Sequence, residues 1–191
     1  MIVDLWVGDV EQGDVTGHMG RRRVDAVYCD PPWNAGIAKI FRNWAGVTGD
    51  HFSLTNLVGC TVKQLNTVCP GGPWFLDVGP QSDLWLEAVR RVRPWAARRP
   101  ATWGDKHRRT YIVQSEASAL MPSGLHGEES TEWIFNYFVD MGIESVLDPF
   151  IGKGLTLAHA LPLGIGVYGM ELNAKRLEIA KGLAYTLRVG T

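Results

Sequence analysis

Four short apolar runs in this chain each close on a carboxylate, and that repeated punctuation constrains the fold more than any other feature. Residues 2–7 lead into Gly8-Asp9, and Ala26-Val27-Tyr28-Cys29 leads into Asp30. Ser145-Val146-Leu147 closes on Asp148, and residues 166–170 close on Glu171. Runs of this length bounded by turn residues read as buried strands. Helical spacing fills the intervals. A helix over 155–161 is stopped by Pro162, and Leu177, Ala180, Ala184 and Leu187 recur behind a capping Asn173. Leu84, Ala88 and Val92 share one helical face, as do Ile134, Phe138 and Met141. Strand and helix in alternation predict parallel βαβ units, an α/β fold with a mostly parallel sheet and helices on both faces. Residues 73–78 and 110–114 predict two further strands, while 35–68 reads only as loop and helix over the sheet. Ligands of such sheets bind outside the carboxyl ends of the strands. One Asp after a strand is ordinarily a turn residue or a helix cap. Four acids at one edge would instead make a polar rim around a site.

Composition sets the bounds. With 191 residues, 46% hydrophobic and 20% charged, the chain fits a single globular domain over 1–191, and it holds no internal repeat. Its longest apolar stretch, 160–170, is broken by Pro162, Gly164, Gly166 and Gly169, so no membrane span is expected. The first five residues carry no basic region, which argues against a signal peptide. Cys29, Cys60 and Cys69 are an odd set without Cys-x-x-Cys spacing, which predicts a reducing, cytoplasmic setting with neither disulfide framework nor metal. Total charge is −1, but residues 90–109 hold eight basic residues against one acid, a local +7 interleaved with Trp95, Trp103 and His107. A solvated face is the ordinary reading of such a run. Phosphate contacts with stacking nearby would use the same residues, and the candidates are Arg98, Arg99, Lys106, Arg108 and Arg109.

Asp30-Pro31-Pro32-Trp33 is the sharpest chemical signal. Asp and Pro are common in turns, and a Trp can simply pack. The functional reading accounts for all four together. Neither proline has an N–H, and each has a fixed φ, so a carboxylate stands beside a rigid carbonyl acceptor. Two acceptors aimed at one small volume can hold both hydrogens of an exocyclic NH₂ and orient its lone pair. Trp33 adds a flat face on which an extruded base can stack.

Here the sequence resembles a known family. Asp-Pro-Pro-Trp is the catalytic tetrad of the amino methyltransferases that modify adenine N6 or cytosine N4 with S-adenosylmethionine. Asp148-Pro149-Phe150-Ile151-Gly152-Lys153-Gly154 is similar to that family's cofactor motif, Asp-Pro-Phe-x-Gly-x-Gly. The tetrad precedes the cofactor motif, and residues 5–9 resemble the strand that normally follows the helix behind Glu171. The resemblance therefore implies a Rossmann-like methyltransferase fold in circularly permuted, β-class order. It covers about 2–34, 70–92 and 125–185.

What the resemblance implies can be stated residue by residue. Asp30, Pro31, Pro32 and Trp33 would be catalytic. Asp148, Phe150, Gly152 and Gly154 would form the loop against the cofactor, and Glu171 would accept its ribose hydroxyls. Asp9 would take the amino group of its adenine, with a backbone contact from Val10. Asp30 would also border the cofactor. His126 stands where the family has His-Pro-Thr-Gln-Lys-Pro, here His126-Gly127-Glu128-Glu129-Ser130, which keeps the histidine and lacks the lysine. The implied function is methylation of adenine N6 in double-stranded DNA, as in bacterial or phage restriction-modification. Alternatives are cytosine N4, an RNA adenine, or a catalytically idle nucleic-acid-binding subunit. Residues 111–124 are too few for a separate target-recognition domain, so short or relaxed specificity, a homodimer, or a second recognition subunit is expected.

Overall fold

Alternation along the strands sorts the apolar side chains onto two faces of one sheet. The computed structural model describes residues 1–48, 52–104, 107–116 and 121–189. Its strands are β1 (Val3–Val7), β2 (Ala26–Cys29), β3 (Trp74–Val78), β4 (Ala97–Trp103), β5 (Arg108–Gln114), β6 (Ser145–Asp148) and β7 (Gly166–Glu171). Its helices are α1 (Asp14–Met19), α2 (Ala35–Trp44), α3 (Leu54–Val68), α4 (Ser82–Arg90), α5 (Glu128–Asp140), α6 (Leu155–Ala160) and α7 (Ala174–Val189). The sheet runs β1-β7-β6-β2-β3-β5-β4. The first five strands in that order are parallel, and β5 is antiparallel to both β3 and β4.

Val27, Cys29, Leu76, Val78 and Leu147 face a core built with α1, α3 and α4. Ala26, Tyr28, Phe75 and Val146 face a second core built with α5, α6 and α7. Period-two side-chain alternation on a sheet covered on both faces yields this partition. Trp74 and Trp85 are fully buried in the first core, and Phe135 and Phe138 in the second.

Two features depart from the sequence reading. The basic run does not lie on one solvated face: it spans the end of α4, the whole edge strand β4 and the start of β5, with Pro100 tolerated because β4 is an edge. Residues 35–68, read as loop and helix, hold the two helices α2 and α3. Asn34 caps α2 by accepting from the Ile37 N–H at 2.9 Å, and Ser53 caps α3 by accepting from the Asn56 N–H at 3.3 Å. The short α1 also goes unanticipated. Among the described residues, no helix is long and apolar enough to cross a membrane.

Candidate active site

Because β1, β7, β6, β2 and β3 are parallel, their carboxyl ends share one edge, and Asp9, Glu171, Asp148 and Asp30 gather there. They border one cleft with two chambers, spanning about 590 and 830 Å³, a size suited to small ligands. The first is lined by Asp9, Val10, Phe41, Phe52, Phe150, Met170 and Glu171. The second is lined by Pro31, Trp33, Asp148, Gly152 and Lys153, among others. Asp30, Pro32, Phe41, Phe150 and Arg176 border both.

The loop after β6 owes its shape to two buried acids. Asp148 accepts from the Phe150 N–H at 2.9 Å and from the Thr156 hydroxyl. Burial pushes its pKa up to about 7, the Thr156 and Phe150 donors oppose the rise, and the charges of Asp30 and Glu171 add to it. Asp148 therefore braces the loop from behind. Glu171 accepts from the Gly152 N–H at 3.0 Å and from the Asn173 N–H at 2.9 Å, which fastens the loop to the end of β7. Gly152 has φ +56, a conformation that favours glycine, and a Cβ there would lie 2.7 Å from Arg176 Nη2, the mobile tip of that side chain. Gly154 does not line the cleft. It caps α6 at φ +103, packed against Leu157 and Leu183.

The tetrad adopts a specific internal arrangement. The Trp33 indole N–H donates to Asp30 Oδ1 at 2.8 Å. Its ring lies against Gly79, where an added Cβ would fall 2.5 Å from Trp33 Cβ. Trp33 is therefore a positioning group for Asp30 as well as a cleft wall. Among the described residues none donates to the Pro31 carbonyl. Asp30 meets solvent through the cleft mouth but is otherwise walled by protein. That desolvation raises its pKa to about 6, against the lowering effects of the Trp33 N–H and the Arg176 charge.

The other acid-rim residue is more engaged than anticipated. Asp9 caps the turn after β1, accepting from the Glu11 N–H at 2.9 Å, and takes Arg42 Nη1 at 3.4 Å. Arg42 in turn donates to Glu11 at 2.5 Å. The Val10 carbonyl accepts from Gln64 Nε2 at 2.6 Å.

His126 is not brought to this cleft. Residues 124–127 run along β4, with the Gly124 N–H on Pro100 O and the Thr102 N–H on Leu125 O. That pairing holds His126 Nδ1 at 2.9 Å from the Thr102 hydroxyl, in a separate shallow recess with Trp103, Glu129 and His159. The basic candidates are also divided. Arg98 is committed to Asp83 and Ser82 on α4 and lies over the Tyr111 ring. Arg99, next in the strand, points to the opposite face of the sheet. Arg108 and Arg109 are exposed at the start of β5, beyond the Val78–Tyr111 register pair and so on the cleft's side of the sheet. Lys106 lies outside the described residues.

Three solved structures share this architecture. TTHA0409, a candidate DNA modification methylase from Thermus thermophilus, is 18% identical, with a TM-score of 0.64 over 100% of this chain and 97% of that one. M1.HpyAVI is 13% identical, with a TM-score of 0.62 over 95% of this chain and 98% of that one. The cytosine-N4-specific PvuII DNA methyltransferase is 11% identical, with a TM-score of 0.61 over 95% and 86%. The chain shares the fold of these structures. No family model and no curated protein matches its sequence.

Two residues in the cleft and one buried beside it escaped the sequence reading. Arg176 stacks at 4.6 Å over Phe41 and stands 4.0 Å from Glu171. A cation in the first turn of the last helix was its only signal. Phe41 lay in the stretch that could not be parsed. Asp77, buried near the end of β3, is a fifth acid at the same sheet edge. The rule that found the other four takes the acid that closes a strand, and β3 closes on Val78, one residue past Asp77.

Proposed function

We propose that this chain is an S-adenosyl-L-methionine-dependent DNA methyltransferase acting on the exocyclic amine of an extruded base, adenine N6 in preference to cytosine N4. The observation that carries this reading is the convergence of the Asp30 carboxylate, the unclaimed Pro31 carbonyl and the Gly152 loop fastened by Glu171 in a single cleft. The fold it shares with DNA methyltransferases supports the assignment. One of those structures, TTHA0409, is also known complexed with S-adenosyl-L-methionine.

The cleft suits that cofactor. The first chamber combines Phe41, Phe52, Phe150 and Met170, apolar walls for an adenine ring, with Asp9 at its rim. Each carboxylate oxygen carries two lone pairs, so Glu171 retains acceptors for ribose hydroxyls and Asp9 for an amino group. Arg42 holds Asp9 in place. Val10 contributes a wall, and Asp148 acts through the loop it braces; we assign His126 no cofactor role. Bound there, the cofactor supplies an electrophilic methyl group.

Asp30 and the Pro31 carbonyl each accept one hydrogen of the target amine, which fixes the direction of its lone pair. With a pKa of about 6, Asp30 is about nine-tenths ionised at pH 7 and competent as an acceptor. The amine becomes cationic as it is methylated and must shed a proton. Asp30 is positioned to receive it and release it through the cleft mouth. Pro32 and Trp33 wall the base, and the Trp33 N–H keeps Asp30 from rotating away. The remaining work is positioning.

Arg108 and Arg109 project past the rim and are our candidates for DNA phosphates; Arg98 is not, being tied to α4. We read the chain as one permuted methyltransferase domain, a view supported by β1 pairing with β7. On that single-domain reading, base-specific readout would come from a second subunit or copy. A bacterial or phage cytoplasm is the matching setting. The test is transfer of tritiated methyl groups to DNA, RNA and protein by the purified chain. Label confined to the amino group of a DNA base supports the reading, and label in RNA alone redirects it.

A further inference from the structure

Asp77 poses a chemical problem the proposed reaction does not use. It is 4% exposed, and its Oδ1 has no hydrogen-bond partner among the described residues, whereas buried polar groups are nearly always partnered. An ionised carboxylate in that position would be a buried charge without a donor. The acid form removes the charge but creates an O–H that needs an acceptor.

The register names that acceptor. Cys29 on β2 pairs with Leu76 on β3, so the next positions along the two parallel strands are Asp30 and Asp77. Neighbouring strands lie about 4.8 Å apart. Tyr28 and Phe75, two residues earlier on each strand, belong to the same core face, and the charges of both acids act on the buried Tyr28 hydroxyl. On its other side Asp77 pairs with apolar Ile112 on β5. Of α5, which packs on this face, the buried polar residues are Ser130 and Thr131, neither ionisable, and its acids Glu128, Glu129, Glu132 and Asp140 are exposed. The remaining ionisable groups nearby are Asp148 beside Tyr28, Cys29 on the opposite face and Arg176 across the cleft. Asp30 is thus the acceptor that a protonated Asp77 can reach.

We propose that Asp77 is a positioning residue: a neutral carboxylic acid whose O–H donates to the Asp30 carboxylate and holds it with the Trp33 N–H while its remaining lone pairs face the target amine. The catalytic part of this inference rests on the reading of Asp30 as the amine's acceptor. Burial and the Asp30 charge both push the Asp77 pKa well above the ordinary carboxylate range, in agreement with the neutral form.

Two measurements on the ligand-free protein test the pair itself. An infrared difference spectrum of wild type minus Asp77→Asn at pH 8 should contain the C=O stretch of a protonated carboxyl; its absence overturns the proposal. Carbon-13 NMR should place the Asp30 titration about one pH unit higher in Asp77→Leu, which loses a donor to the charged form, and near wild type in Asp77→Asn, whose amide still donates. Equal midpoints in all three proteins would also overturn it. If Asp77→Leu does not fold, the infrared band still decides. In methyl-transfer assays the acid limb of kcat should move with the Asp30 midpoint, while S-adenosylhomocysteine affinity stays within about twofold. A wild-type protein that transfers no methyl group would defeat the functional reading and leave the infrared and NMR results to judge the pair.

Discussion

Gly79→Ala is a one-carbon change that touches none of the proposed ligands yet should disable the reaction. The added Cβ would lie 2.5 Å from Trp33 Cβ and 2.7 Å from Trp33 Cγ. Those are the stiff inner atoms of the side chain, so the strain cannot be relieved by moving a flexible tip. Overpacking of this kind typically costs about 1–3 kcal/mol, and for a chain of this size each kcal/mol lowers Tm by about 2–4 °C. The functional effect should exceed the stability effect. Displacing Trp33 breaks its 2.8 Å donation to Asp30, a charge-assisted bond whose loss costs about 1.5–3 kcal/mol. If that cost falls on the transition state, kcat drops about 10- to 100-fold. The first chamber is not lined by Gly79 or Trp33, so calorimetric affinity for S-adenosylhomocysteine should hold within about twofold. Trp33→Phe, which removes the N–H without overpacking, should reproduce the kcat loss with a smaller Tm shift. Wild-type kcat in both variants would refute the claim that Trp33 positions Asp30.

Three further outcomes follow from the same geometry. Glu171→Gln puts an NH₂ where one oxygen now accepts from Gly152 or Asn173; calorimetry and thermal melting should show cofactor affinity down about tenfold and stability down about 1–3 kcal/mol. Because Asp30 has its pKa raised to about 6 and acts ionised, kcat should fall about tenfold per pH unit below that value, in a pH–rate profile at saturating substrates. Replacing Arg108 and Arg109 with Ala should weaken binding to all duplex sequences alike and reduce the salt slope by about 1.8, whereas Arg98→Ala should leave that slope unchanged because Asp83 already holds its guanidinium.

The parallel half of the sheet was legible because each of its strands is a buried apolar run with a polar stop. The same signal marked the rim, since strand direction alone brings Asp9, Asp30, Asp148 and Glu171 to one edge. The features that stayed hidden have specific causes. β4 carries Arg98, Arg99 and Pro100, a composition that an edge strand permits and that otherwise signals loop. α1 is six residues long, flanked by Gly13 and Gly20, and holds Gly17; its propensity is poor, and packing of Val15 and Met19 sustains it. α2 buries only Ala38, because much of its apolar face lines the cleft rather than a core. Asp77 was overlooked because its strand ends one residue later, on Val78. Partnerships among polar groups, such as Trp33 with Asp30 or Arg42 with Asp9, leave no trace in spacing at all.

The central claim is that Asp30 holds the amine that receives the methyl group. Its most direct test is methyl transfer from tritiated S-adenosyl-L-methionine to duplex DNA by wild type and Asp30→Ala, with the labelled nucleoside identified by chromatography and cofactor affinity measured in parallel. The account predicts labelled N6-methyladenine from the wild type, and at least a thousandfold loss in Asp30→Ala with affinity nearly retained, since about 4 kcal/mol of transition-state interaction would be gone. Undiminished transfer by Asp30→Ala would contradict it.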